Sequence, residues 1–186
     1  MSSLIAVAVV LIVVAGVWIY NQLIRGRNRV DNAWSDIDVQ LQRRHDLVPR
    51  LVKAVDQYAK YERATLEAVT ALRAEAMQTA DVRAKGRIEE KLSTGLQRIV
   101  ALAENYPDLK ANENFLHLQS ELVETENYLQ FARRYYNGSV RDYNTMTETV
   151  PSNVVASWFR FKIRDFFQKS SDQAANAPLV DLGTVE

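Results

Sequence analysis

The chain has 186 residues, with 23 Lys plus Arg against 23 Asp plus Glu, so its formal net charge is zero. That length suits one domain, and the charge balance gives no global attraction to nucleic acid. With no cysteine and only two histidines, His45 and His117, disulfides, thiol catalysis, Cys–zinc sites and an N-terminal lipid-modified cysteine are excluded, and a multi-histidine metal site is disfavoured.

Leu4 to Tyr20 reads LIAVAVVLIVVAGVWIY, seventeen residues without a charge. A membrane-crossing helix needs about 20 apolar residues, with about 17 as the lower limit. Leu4, Ile5, Val9, Val10, Leu11, Ile12 and Val13 supply the body of such a span. Trp18, Ile19 and Tyr20 supply an interfacial end, where aromatic rings are enriched. Only Met1, Ser2 and Ser3 precede the run, and no small-residue cleavage site follows it. The expectation is a retained anchor rather than a cleaved signal. Arg25, Arg27 and Arg29 follow the run and no cation precedes it. The positive-inside rule then puts the N-terminus outside and residues 21–186 in the cytoplasm.

From Val30 the apolar residues recur every seven, in two rows. One is Val30, Ile37, Arg44, Leu51, Tyr58, Thr65, Leu72; the other is Trp34, Leu41, Val48, Val55, Glu62, Val69, Ala76. This 4–3 alternation predicts a long amphipathic helix. Arg44, Glu62 and Thr65 interrupt the seam, and Arg44 is expected to snorkel to solvent. Pro49 removes one backbone donor, yet the register continues past it, which predicts a kink rather than a break. A helix continuous to Gln78 would make residues 30–78 a rod of about 74 Å.

A second helix is expected after Asp81, a candidate N-cap, with Ile88, Leu92, Leu96, Ile99, Leu102, Ala103 and Tyr106 on its stripe. Asn105–Asp108 ends it at Pro107. Asn112 is the candidate N-cap of a third helix, with Glu113 in its first turn and a stripe from Phe115 to Val150. No strand pattern of comparable length occurs. The class is therefore all-α: an N-terminal transmembrane helix continuing into a long antiparallel bundle of three to four helices, with a short C-terminal amphipathic helix. The organisation is residues 1–3 as a tail, 4–20 as the span, 21–169 as the bundle and 170–186 as a poorly ordered tail. Ser152–Lys169 interleaves Trp158, Phe159, Phe161, Phe166 and Phe167 with Arg160, Lys162, Arg164 and Lys169. Such a segment either lies on an anionic membrane surface or caps the bundle. A continuous first helix would leave Pro151 at the membrane-distal end, and so predicts the capping role.

Templates for nucleotide binding, acyl transfer and H-E-x-x-H zinc hydrolysis are absent. His117 and Glu121 can share a helix face, and His45 stands among arginines and Asp46, patterns expected of a solvated surface. No catalytic residue, metal ligand or cofactor is assigned.

Tyr20-Asn21, the run Val30-Asp31-Asn32-Ala33-Trp34-Ser35-Asp36-Ile37-Asp38-Val39-Gln40-Leu41-Gln42-Arg43-Arg44-His45-Asp46-Leu47-Val48-Pro49, Tyr106 to Phe115 (YPDLKANENF), Phe131 to Asn137 (FARRYYN) and Tyr143-Asn144 closely resemble the bacterial LemA family. The resemblance runs from the anchor to about Lys162. It implies a single-pass, membrane-anchored helical bundle of the bacterial inner membrane without an agreed enzymatic activity. Relatives take part in magnetosome membrane formation. Others are encoded beside membrane metalloproteases or TPM-type domains, which are the partner classes the resemblance suggests. The family usually has Phe-Pro where Val150-Pro151 stands, and a Phe-Gly-Phe-Lys type run where Phe159-Arg160-Phe161-Lys162 stands.

Val39, Leu47, Val52 and Tyr61 lie off the two rows and widen the apolar face of the first helix. A wider face suits contact with a neighbouring chain, and Arg44 and Glu62 become candidates for pairing across subunits. The leading expectation is a homo-oligomeric scaffold on the bilayer, with Trp34, Arg44, Glu62, Trp158, Phe159 and Phe161 as candidate interaction residues. The alternatives are a membrane-shaping protein using residues 152–169, and a metal-dependent enzyme subunit using His45 or His117.

Overall fold

A computed structural model describes residues 1–58 and 62–167, and among these no strand occurs. Helix α1 runs unbroken through Ser2–Asp56, 55 residues, or about 80 Å at 1.5 Å per residue. Its first turns are bare: Leu4, Ile5, Val9, Val10, Leu11, Ile12, Val13 and Trp18 are all more than half exposed. It is the one described helix long and apolar enough to cross a membrane. From Leu23 onward a buried seam appears, through Gly26, Val30, Ala33, Ile37, Leu41, Arg44, Val48, Leu51 and Val55. The spacing is that of a helix buried along one stripe.

Pro49 sits inside α1 without ending it. A proline cannot donate to the carbonyl four residues earlier, here that of His45. The structure fills that vacancy from another helix: Arg73 Nε donates to the His45 carbonyl at 2.7 Å. The freed acceptor therefore becomes a docking point.

The rod expected to reach Gln78 does not form. α1 stops at Asp56, and α2, Arg63–Gln78, folds back along it, placing Arg73 beside His45. Residues 57–62, between the two helices in sequence, contain no Gly or Pro to announce the reversal. The seam phase changes across it: in α2 Leu66, Val69 and Ala76 are buried, while Thr65 and Glu62 are only half-buried. α3, Val82–Leu102, turns again and packs on α2. Gly95 permits the close approach, since a Cβ there would stand 2.7 Å from Val69 Cγ2. Asp81 is the N-cap expected of it, accepting from the Ala84 amide at 2.7 Å.

A 3-10 turn, Ala103–Asn105, and the short helix α4, Pro107–Lys110, lead to α5, Glu113–Glu148. Asn112 caps α5 as expected, accepting from Phe115 N at 3.1 Å. α5 runs antiparallel to α1 along most of the bundle. Asn112 Nδ2 meets the Tyr58 hydroxyl at the far end, Arg50 meets Glu121, and Gly26 lies under Tyr143 and Met146 at the near end. Four long helices rather than three thus bring the chain back to the membrane-proximal end, where the apolar run of α1 enters the bundle. The expected distal position of Pro151 is corrected by this extra reversal. A cis Val150–Pro151 bond precedes α6, Ser152–Trp158.

The C-terminal amphipathic helix is shorter than the aromatic segment. Arg160 takes φ 57°, the left-handed conformation, and ends it. Phe161 N donates to the Ala156 carbonyl and Arg160 N to the Ser157 carbonyl, the paired closure of a Schellman motif, whose left-handed position usually holds glycine. Residues 161–167 then run extended, back along α5. Asn144 pairs with both backbone groups of Arg164, and Asn137 with both of Phe167. Tyr143 donates to the Lys162 carbonyl and Tyr136 to that of Asp165. Seven helical residues advance about 10.5 Å and three extended residues about 10 Å, so a heptad-repeated Tyr-Asn pair matches the strap. Burial pushes the hydroxyl pKa of Tyr136 and Tyr143 up, so both stay O–H donors.

Two cores result. The distal one joins α1, α2, α3 and α5 around Val48, Leu51, Leu66, Leu92 and Phe115; the proximal one joins α1, α5 and the strap around Ile37, Leu129, Tyr143 and Phe167. The tail expected at 170–186 and Lys169 lie outside the described residues, as does Tyr61.

The proline reading predicts a coupled pair. Arg73→Ala should cost about 2 kcal/mol, the worth of a charge-assisted bond to an otherwise orphaned carbonyl. Restoring a donor with Pro49→Ala should reduce that cost to below about 1 kcal/mol. Denaturant unfolding of the four proteins of the cycle measures it; an equal cost in both backgrounds would refute the coupling.

Candidate functional site

Two polar assemblies stand out, one inside the bundle and one at its base. In the middle of the bundle Arg44 is fully buried. It is ion-paired with Glu89 of α3, also fully buried, and with Glu126 of α5 at 2.9 Å. Ser93 accepts from Arg44 Nη1 at 2.5 Å, and His45 Nε2 stands 2.8 Å from Glu89 Oε1. The snorkelling expected of Arg44 is therefore corrected, as is its pairing across subunits: two carboxylates of its own chain hold it. The signal was present in the sequence. Glu89 lies three residues before Leu92, and Glu126 lies between Leu122 and Leu129, so both carboxylates border apolar stripes. Burial alone would raise the Glu89 carboxyl, but the His45 hydrogen bond and the Arg44 charge outweigh it and hold the pKa below its ordinary value. Beside them, burial and then the Arg44 charge pull the Arg133 guanidinium down.

The cluster fastens the α2–α3 hairpin to the α1–α5 pair. Further links are Lys85 to Asp38 at 3.9 Å and Arg83 to Asp165 at 2.5 Å. Its chemistry is that of a register-fixing ion network rather than of a reaction centre, because its charges are turned toward one another. Among the described residues no group of three or more His, Asp or Glu is placed to hold a metal ion. His117 is exposed, 3.7 Å from Glu121.

The base is built where α6 and the strap meet α1. Tyr20, the last residue of the apolar run, packs tilted against the Phe159 ring at 4.7 Å and edge-to-face with Phe161 at 5.8 Å. Arg27 lies over the Phe161 ring at 5.9 Å. Val154, Trp158, Phe159 and Ile163 are 57–82% exposed here, beside the start of the bare helix. A cleft of about 460 Å³ opens between α1 and the turn, lined by Tyr20, Arg27, Phe159, Arg160, Lys162 and Arg164 among others. Arg164 pairs with Asp31 at 2.9 Å.

The other expected interaction residues separate. Trp34 is half-buried, packed on Tyr136 and Phe167. Glu62 precedes α2 without capping it through its side chain. Leu47 and Val52 serve the bundle's own core, while Val39 is exposed. Trp158, Phe159 and Phe161 come together at the base; the cations that join them from α1 and the strap were visible singly, but only the extra reversal brings them together.

An all-helical bundle carried on a single N-terminal helix long and apolar enough to cross a membrane is the class these features define. The LemA family model matches residues 33–182, most of the chain, and the chain belongs to the LemA family. It is similar to Protein LemA of Metamycoplasma hominis, 27% identical over 168 residues, covering 89% of this chain and 74% of that protein. Magnetosome protein MamQ 2 of Paramagnetospirillum magneticum is 23% identical over 187 residues, covering 87% of this chain and 68% of that one. Magnetosome protein MamQ of Magnetospirillum gryphiswaldense is 23% identical over 172 residues, covering 78% and 62%.

Glu89→Ala should cost about 3 kcal/mol, because it removes the fully buried one of the two carboxylates that balance the Arg44 guanidinium. Glu89 has its pKa lowered from the ordinary 4.5 on folding. Its contribution is thus complete above that value and is lost as the pH falls below it, through the lower folded-state pKa. Urea unfolding at descending pH should show a steeper loss for the natural protein than for Glu89→Gln.

Proposed function

We propose that this protein is a membrane-anchored helical scaffold or adaptor that assembles side by side on the bilayer, organising membrane or membrane proteins without catalysis of its own. The observation that carries this reading is the pairing of α5 with α1 along the bundle. One helix is both anchor and central strut, and the chain's return to the base leaves the flanks of the pillar free for lateral contact. Tyr128, Phe131 and Tyr135, three and seven residues apart on α5, are 50%, 62% and 55% exposed. Exposed aromatic stripes of this kind mark interaction surfaces. A second copy is the first partner, and another membrane protein the next; relatives named as magnetosome proteins fit a role in membrane organisation.

The orientation follows from charge. Arg25, Arg27 and Arg29 are joined at the base by Arg160, Lys162 and Arg164, so the bundle belongs on the cytoplasmic side of a bacterial inner membrane. A second reading, membrane shaping by residues 152–169, is favoured by the exposed Trp158 and Phe159 beside Tyr20.

Mass photometry and cross-linking of the full-length protein in mild detergent should show oligomers, and Phe131→Glu with Tyr135→Glu should weaken assembly at least about tenfold. A monomer at every concentration would refute self-assembly. Because the chain has no cysteine, Lys91→Cys gives a single label site on an exposed face of α3. In intact cells it should react with a membrane-permeant maleimide and resist an impermeant one.

A further inference from the structure

We infer that the cleft at the base is a binding site for the headgroup of an anionic phospholipid, held by Arg27, Arg160 and Lys162. The inference rests on the membrane-anchored placement proposed above and adds the lipid class to it.

The first support is depth. Tyr20 closes the apolar run, and Arg27 lies two turns further, about 10 Å along the axis. A headgroup layer is about 5–8 Å deep on each side of the hydrocarbon. The cleft, lined at one end by Tyr20 and at the other by Arg27, therefore spans the level at which lipid phosphates lie.

The second support is charge. The cleft is lined by Arg27, Arg160, Lys162 and Arg164 and by no carboxylate. Arg164 is taken by Asp31. Among the described residues, no ion pair engages Arg27, Arg160 or Lys162. Guanidinium groups match phosphate oxygens, and Lys adds a point charge. Three free cations favour a headgroup with net negative charge and repel the quaternary ammonium of a choline lipid.

The third support is the rim. Phe159, 57% exposed, borders the cleft beside Tyr20, giving acyl chains an apolar contact below a charged pocket, as at other membrane interfaces. Arg160 also stands where the Schellman turn favours glycine. The position that favours glycine thus carries a cation that lines the cleft.

The test uses full-length protein in neutral detergent, with native mass spectrometry counting bound lipid. Phosphatidylglycerol, phosphatidylcholine and inorganic phosphate are the three probes. Phosphatidylglycerol should bind in preference to phosphatidylcholine and resist displacement by phosphate. Arg160→Gly with Lys162→Gln should weaken phosphatidylglycerol about thirtyfold, the loss expected for two cations at a charged surface. Arg63→Gln with Arg98→Gln, the same charge change at exposed sites on α2 and α3, should alter it by less than about twofold. Thermal melting guards the fold, since glycine at a left-handed position should hold or raise stability. Equal binding of the two lipids, full displacement by phosphate, or unchanged affinity in the first double variant overturns the inference. Mass photometry of the natural protein and of this variant separates the two readings. A variant with intact oligomers and undiminished lipid affinity defeats the lipid site alone, whereas natural protein that is monomeric yet binds phosphatidylglycerol tightly, with that binding lost in the variant, defeats the scaffold alone.

Discussion

α1 faces lipid over its first turns and protein over the rest, with no break between. A helix stiff enough to leave the bilayer this way fixes the frame for every later element. Its seam must be covered along its length by partners that begin at the membrane and end some distance from it. At the base α5 does this with α6, and the α2–α3 hairpin is added further out. The strap of residues 161–167 fills the position the hairpin leaves vacant.

Polar groups then specify how the pieces meet. Apolar stripes on four helices of similar character could pair in several registers at little difference in burial. Arg44, buried against Glu89 and Glu126, permits one arrangement, since any slip would strand a charge in the core. The His45 carbonyl, freed by Pro49 and taken up by Arg73, fixes the height of α2 on α1. These two contacts stand on neighbouring residues of α1, so the hairpin is registered at one level by both of its helices.

Much of this was legible in the sequence, but unevenly. The long apolar start of α1, its buried seam and the caps Asp81 and Asn112 follow from local rules and are as expected. The reversal at residues 57–62 was hidden because Glu62, Thr65, Val69, Leu72 and Ala76 continue the spacing of the seam by coincidence. A periodic pattern does not record whether the helix carrying it turns back. From that one omission came the distal placement of Pro151; the aromatic segment does pack on the bundle, but at its other end. Arg44 was misjudged for a different reason: Glu89 and Glu126 each border an apolar stripe, but they lie 45 and 82 residues away, so no local rule pairs them with it. The base cleft was illegible for the same topological cause, since Arg27 and Lys162 meet only because the chain makes one extra reversal.

The strap has one more implication. Tyr136-Asn137 and Tyr143-Asn144 read the extended chain at intervals of three residues, so they act as a gauge as well as a clasp. Phe161, Phe159 and Trp158 hang below the last graduation at a fixed chain distance. The height at which those rings meet Tyr20 is therefore set by counting residues from the bundle downward, independently of how long the apolar run of α1 happens to be.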